Sequence, residues 1–284
     1  MPEACKEICC ERTQTATTST LFSALTVELV DGIICSTGKK ELTGGGSTVS
    51  SFESYYSAIS TLLKRIADTQ AEAIKKAANV IADHIADGGI LYLLGSGHSL
   101  AIAMEAYHRA GGLAPVDVIH DRTFGRAERL EGYAEKLLKD YNIPPGGVVV
   151  IISNSGRNAL PIETALWCKE HGVTTIAITS LAHSKSVTSR HSSGKRLFEI
   201  ADIVIDNCGI PGDAVLEING LPGRAIPTSG IAGMFIIDSI IAQTIENLAA
   251  RGETPPVFIS ANVDGGDEHN EKLYAKYWSR IRGL

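Results

Sequence analysis

Leu91-Tyr-Leu-Leu-Gly-Ser-Gly-His-Ser99 and Val148-Val-Val-Ile-Ile-Ser-Asn-Ser-Gly-Arg-Asn158 are two apolar runs that each break into glycine and hydroxyl residues. A short run of this kind, without alternation, reads as a strand buried on both faces of a parallel sheet. The glycines after it let a tight turn approach a ligand closely, and the helix that follows opens with unpaired N–H groups. Each junction therefore has the make-up of an anion cradle. Ser153, Ser155 and Asn158 add side-chain donors suited to one phosphate, while Ser96, His98 and Ser99 line the neighbouring turn with donors suited to hydroxyls. The implied ligand is small, polyhydroxylated and phosphorylated.

Around these junctions the hydrophobic pattern alternates between strand and helix. Ile59, Leu62, Leu63, Ile66, Ile74, Ala77, Ile81 and Ile85 recur at three- and four-residue spacing and predict one long helix from about Glu53 to Ala86, stopped by Asp87-Gly-Gly89. The spacing then predicts helices over Leu100 to Arg109, Arg126 to Tyr141 and Ala159 to His171, and a nearly all-apolar helix opening at Thr228-Ser-Gly230 and running to about Ala250. Strands are predicted at Ile90 to Leu94, Val116 to Ile119, Val148 to Ile152, Thr174 to Thr179 and Asp202 to Asp206. Such alternation predicts a doubly wound α/β fold: a three-layer α/β/α sandwich around a mostly parallel sheet. In these folds ligands sit at the carboxyl ends of strands near a topological switch, and both glycine turns lie at carboxyl ends. Near the end of the chain, Asp267 to Asn270 reads as the start of a helix carrying Leu273, Tyr274, Tyr277, Trp278 and Ile281, with acid favoured in its first turn.

Composition narrows the function classes. The chain has 284 residues, 44% of them hydrophobic, and a formal net charge of −6, so no global basic field favours nucleic acid or an acidic membrane surface. An anionic ligand has to be held locally, by helix N-termini and by single cations such as Arg157, Lys185, Arg190, Lys195 or Arg196. Cys5, Cys9, Cys10 and Cys35 crowd the start while Cys168 and Cys208 stand alone, which is no disulfide framework and lacks the second cysteine pair or nearby histidine of a zinc site. No metal and no organic cofactor is expected. No apolar run reaches the roughly 18 residues that span a bilayer, and no basic-then-apolar leader opens the chain, so the expected setting is soluble and cytoplasmic. Residues 1 to about 50, with Thr13-Gln-Thr-Ala-Thr-Thr-Ser-Thr20 and Gly44-Gly-Gly-Ser47, read as a poorly ordered extension ahead of a single domain over 51–284.

The pairing of Gly95-Ser-Gly-His-Ser99 with Ser153-Asn-Ser-Gly-Arg-Asn158 resembles the sugar isomerase (SIS) domain of phosphosugar isomerases and binding proteins, and the resemblance runs from about Ser51 to the end. The whole pattern is most similar to a bacterial group of SIS-domain phosphosugar-binding proteins. The resemblance implies a five-stranded, flavodoxin-like sheet and subunits that share active-site walls as a homodimer or higher oligomer. It also implies phosphate held at Ser153, Asn154, Ser155 and Asn158, with Asn158 where threonine is usual. Ser96, Gly97, His98 and Ser99 then lie against phosphate and sugar, and Ser184 supplies a further hydroxyl.

Aldose–ketose isomerisation needs a base that moves a proton between adjacent carbons through an enediol, which a glutamate or histidine with a pKa near neutrality can supply. Glu105 and His108, three residues apart on the predicted helix after the first turn, are the candidates for that role. Known relatives are matched incompletely. Phosphoheptose isomerases place a glutamate where this chain has Arg109 and a Gln-Glu-x-His stretch where it has Gly233, Met234 and Ile236. Etherases of N-acetylmuramic acid 6-phosphate are similar in the short Ser-Gly-Arg and faintly at Glu131-Gly132 with Glu135. The function expected is thus a phosphosugar isomerase, the alternatives being a non-catalytic phosphosugar sensor and a carbon–oxygen lyase.

The first 48 residues carry too little apolar surface to add much to a core. Deleting them is expected to leave the melting temperature and phosphosugar affinity nearly unchanged, and a large fall in either would show that the segment docks.

Overall fold

The computed structural model describes residues 49–282. The extension expected over 1–50, with its four cysteines, lies outside the described residues apart from its last two positions.

Ser50 starts the fold with a capping box. Its hydroxyl accepts from the Glu53 backbone N–H at 3.2 Å while its own N–H donates to the Glu53 carboxylate at 2.8 Å. Helix α1 (Ser51–Ala86) follows. The chain then runs through β1 (Leu91–Gly95), α2 (Ser99–Glu105), β2 (Val116–His120), α3 (Tyr133–Leu138), β3 (Val148–Ile152), α4 (Ala159–Glu170), β4 (Thr174–Thr179), α5 (Leu181–Lys185) and β5 (Ile203–Asp206). A hairpin, β6 (Ala214–Glu217) and β7 (Arg224–Pro227), precedes α6 (Ser229–Ala250) and α7 (Gly266–Tyr277).

The five main strands form one wholly parallel sheet in the order β2-β1-β3-β4-β5. Their side chains alternate between two cores. Leu91, Leu93, Val148, Val150, Ile176 and Ile178 face Ile74, Ala77 and Ile81 of α1 and Ile236, Ile237 and Ile240 of α6. Tyr92, Leu94, Val149, Ile151 and Ala177 face Leu138 of α3 and Leu160, Ile162 and Ala165 of α4. Burial on both sides explains the unbroken apolar runs, and the sandwich has the three layers the alternation predicts.

Helix α6 is, among the described residues, the one helix long and apolar enough to cross a bilayer. It packs on α1 and α2, and its isoleucines belong to the core, which accounts for a composition apolar on nearly every side.

Three local expectations change. The helix predicted over Arg126 to Tyr141 shrinks to α3, because the stretch before it is coiled around the Asp121 carboxylate and then interrupted by Gly132 at φ 81. The helix predicted to reach Arg109 ends at Glu105, and His108 has a φ of 44, so Glu105 and His108 do not share a helix face. The hairpin of β6 and β7 was not foreseen; its strands are short, without a fully buried residue, and β7 ends in Pro227.

Candidate functional site

In a parallel sheet every strand ends at the same edge. Strand β1 pairs with β2 on one side and β3 on the other, so the chain leaves β1 and β3 in opposite directions and a crevice opens between their turns. A cleft of about 720 Å³ lies there, lined by Ser96, Gly97, His98 and Ser99 from the first turn and by Ser153, Asn154, Ser155 and Asn158 from the second. Eight of the nine expected binding residues thus meet in one place.

Each turn has a steric reason for its glycines. Gly97 at φ 58 and Gly156 at φ 57 take left-handed conformations that side chains disfavour. At Gly95 a Cβ would overlap the carbonyl of Ser99, so the first turn of α2 folds back directly over the end of β1. The second turn closes with the Gly156 N–H on Ser153 Oγ at 3.2 Å and delivers the chain into α4, whose N-terminus points its dipole at the cleft edge. Asn154 Oδ1 accepts from Asn207 Nδ2 at 2.8 Å, so this amide shapes the loop as well as lining the cleft. Ser155 lines the cleft half-buried.

Ser184 does not line the cleft. It is wholly buried on α5, and its Oγ sits against Gly156, 3.2 Å from where a Cβ would be, behind the second turn. Its neighbour His183 does line the cleft; burial first and the Arg157 charge second push its pKa down.

Glu105 and His108 are not brought to the cleft either. Glu105 pairs with Arg109 and lines a separate depression beside Asp238 of α6. His108 Nε2 lies 3.0 Å from the Tyr274 hydroxyl, with its ring packed among Phe258, Tyr274 and Trp278. The Glu105 side chain is engaged locally by Arg109, and that of His108 joins the end of α2 to α7.

The residues that sequence reading missed come mainly from the coil after β2. Asp121 is fully buried and takes five donors: Thr123 Oγ1 (2.6 Å), Thr123 N and Tyr133 Oη (3.0 Å each) on one oxygen, Ser96 Oγ (2.7 Å) and Gly125 N (2.9 Å) on the other. Burial alone would raise its pKa, but the bonds from Thr123, Ser96 and Gly125 outweigh it and hold the group at about 2. The same coil sets Gly125 against Gly97 and brings Glu128 to the cleft wall, with the Glu128 carbonyl accepting from the Leu160 N–H of α4 at 3.0 Å. Burial pushes the Glu128 carboxyl up, against the pull of a hydrogen bond to Asn158. Asn158 Oδ1 also accepts from Arg190 at 3.1 Å, so one amide links a cation and the carboxyl. Asp213, at φ 63, lines the opposite wall and caps α6, its carboxylate taking bonds from the N–H and hydroxyl of both Thr228 and Ser229.

The family model for the SIS domain matches residues 54–180, the part of the chain that builds α1, both glycine turns and the first four strands of the sheet. Relatives named UPF0309 protein align over nearly their whole length. That of Shouchella clausii is 44% identical over 81% of this chain and 97% of its own, and that of Listeria monocytogenes is 43% identical over 78% and 94%. The chain belongs to this UPF0309 family and carries a SIS domain. Against solved structures it aligns with a phosphoheptose isomerase from Neisseria gonorrhoeae at 16% identity and a TM-score of 0.49, over 69% of this chain and 97% of that one.

Asp121 makes the first turn pH-sensitive. Its carboxyl is held below the ordinary value of 3.8, so its contribution to stability is complete above about pH 4 and is lost as pH falls towards 2. Asp121→Asn is expected to cost roughly 1–3 kcal/mol at pH 7, because one acceptor oxygen becomes an amide facing donors. In urea titrations the gap between variant and parent should narrow steadily from pH 4 to pH 2; a gap independent of pH would assign the loss to packing.

Proposed function

We propose that the cleft binds a phosphorylated sugar and interconverts its aldose and ketose forms without metal or organic cofactor. The observation that carries this reading is the meeting of both glycine turns with a half-buried glutamate at one switch point. Phosphate is held by the Ser153 to Asn158 turn and the N-terminus of α4, with Arg190 behind Asn158. Ser96, His98 and Ser99 take sugar hydroxyls. The base is Glu128 in place of Glu105 or His108: it lies on the cleft wall, and burial raises its proton affinity towards the range in which a carboxylate can both take and return a proton. Its carboxylate removes the proton on the hydroxyl-bearing carbon beside the carbonyl while the carbonyl oxygen gains a proton, giving the enediol; the other enediol oxygen then gives up its proton as the glutamate returns its own to the former carbonyl carbon. His98 or His183 is positioned to donate to the oxygen that gains charge.

A non-catalytic sensor is the second reading. It is favoured by the position of Glu105 and His108 outside the cleft and by the mismatch with isomerases at Arg109, Met234 and Ile236. A homo-oligomer is supported by apolar surface exposed at Phe52 and Tyr56 of α1 and at Ile218, Leu221 and Ile226 of the hairpin, two elements joined by the bond from the Tyr55 hydroxyl to the Pro227 carbonyl.

Thermal shift separates phosphate binding from sugar binding. A sugar phosphate at a hundredfold over its dissociation constant should stabilise the fold by about 2.7 kcal/mol while the unphosphorylated sugar does little. Ser153→Ala with Ser155→Ala should remove most of that effect, each lost charge-assisted bond being worth roughly 1.5–3 kcal/mol. Equal stabilisation by the two compounds, or full affinity in the folded double variant, would overturn the phosphate assignment.

Turnover is read by proton NMR in heavy water. Glu128→Gln should retain binding while exchange of the sugar proton slows by on the order of 10² to 10⁴. Exchange at the parent rate would place the base elsewhere, and binding without exchange in the parent protein itself would establish the sensor.

A further inference from the structure

Phe124 lines the cleft with its side chain 70% exposed, and it belongs to neither hydrophobic core. Its backbone is unusual as well. The φ of Phe124 is 51 and that of Gly125 is 85, and the Arg126 N–H donates to the Thr123 carbonyl at 3.2 Å. Phe124 and Gly125 are therefore the two central residues of a tight turn with positive φ at both. Such a turn favours asparagine, aspartate or glycine at the first of these positions, and a bulky side chain there is an outlier.

The conformation is imposed from outside the residue. The Asp121 carboxylate takes the Thr123 N–H at 3.0 Å and the Gly125 N–H at 2.9 Å, and the Asp121 carbonyl takes the Phe124 N–H at 3.1 Å. The ring is steadied by His120, which meets it edge to face with centroids 6.1 Å apart and planes at 89°. A strained backbone thus holds an aromatic ring in the open at the cleft wall. The groups next to it there are small or polar: Gly125, packed against Gly97 and Ser96, and Glu128. A protein partner would need a contiguous apolar patch. A sugar ring needs what is present, namely donors for its hydroxyl rim and one aromatic face, negative at its centre, for the C–H bonds of its flat side.

We infer that Phe124 stacks on the C–H face of a cyclic phosphosugar, so that the cleft selects its ligand as a closed ring. The inference rests on the phosphosugar reading of the cleft and adds the residue that reads ring form. An open-chain polyol phosphate keeps the phosphate and the hydroxyls but presents no such face, and Phe124 does not distinguish it from water.

The test uses the full chain and three probes, glucose, mannose and galactose 6-phosphate, each paired with the alditol phosphate made from it by reduction. Affinities are measured by calorimetry for the parent and for Phe124→Asn, a substitution that suits the turn. For the hexose phosphate that binds best, the variant should lose roughly tenfold in affinity, the order expected when an aromatic side chain is no longer covered. The paired alditol phosphate should bind parent and variant alike. Phe124→Trp should restore the preference for the ring. In proton NMR the ring hydrogens of the bound hexose phosphate should move upfield with the parent and not with Phe124→Asn. The melting temperature of the variant should equal or exceed that of the parent, since an unfavourable conformation is relieved. Unchanged affinity for the hexose phosphate, or an equal loss for ring and open chain, overturns the inference while leaving the phosphosugar reading intact. So does a fall in melting temperature of more than about 4 °C, the size of a lost structural contact in a domain of this length. A changed oligomeric state with affinity retained would assign the ring to a second copy of the chain. Binding of none of the three hexose phosphates to the parent overturns the phosphosugar reading and this inference with it.

Discussion

The constraint behind everything else is that all five main strands run the same way. A parallel sheet cannot be closed by hairpins, so each strand must be followed by a crossover, and every crossover starts at one edge. With the order β2-β1-β3-β4-β5, successive crossovers diverge only between β1 and β3. The crevice is a product of topology before any side chain is specified. Sequence enters by deciding what lines it, and here both flanking turns carry glycine for backbone freedom and serine or asparagine for bonding.

A second feature is how this chain handles charge around that crevice. Asp121 is sealed with five donors and kept ionised, so it serves as a fixed anchor for the Ser96 turn. Glu128, seven positions on, has far weaker support, and burial raises its pKa. Two carboxylates from one coil are thereby shifted in opposite directions from their ordinary values by their surroundings, the pattern by which a fold can give two acids different roles.

The parts legible in the sequence were those governed by local pattern. Unbroken runs such as Val148 to Ile152 announce strands buried on both faces, and the three- and four-residue spacing from Ile59 to Ile85 announces α1. The turn residues were legible because two such junctions occur in one α/β pattern, whereas either alone also fits an ordinary structural turn. The coil from Asp121 to Gly132 was not, because its composition suits a helix and its shape is imposed by a buried carboxylate that no periodicity reveals. Glu128 was hidden with it. Glu105 and His108 misled through spacing: three residues on a helix share a face, but the helix ends at Glu105.

The hairpin at the mouth of the cleft has a different kind of consequence. Its two ends are held together where the Thr228 N–H donates to the Asp213 backbone carbonyl and to its carboxylate, and where the same carboxylate caps α6. Whatever lies between Asp213 and Thr228 is therefore an appendage on a closed neck, and lengthening such a loop costs only about 0.6 kcal/mol per doubling. The neck and the bond from the Tyr55 hydroxyl to the Pro227 carbonyl anchor the hairpin to α6 and α1, so changes in length confined to its tip leave both anchors in place. Variation in the size of the cleft in this architecture has a place to occur that does not touch the two glycine turns.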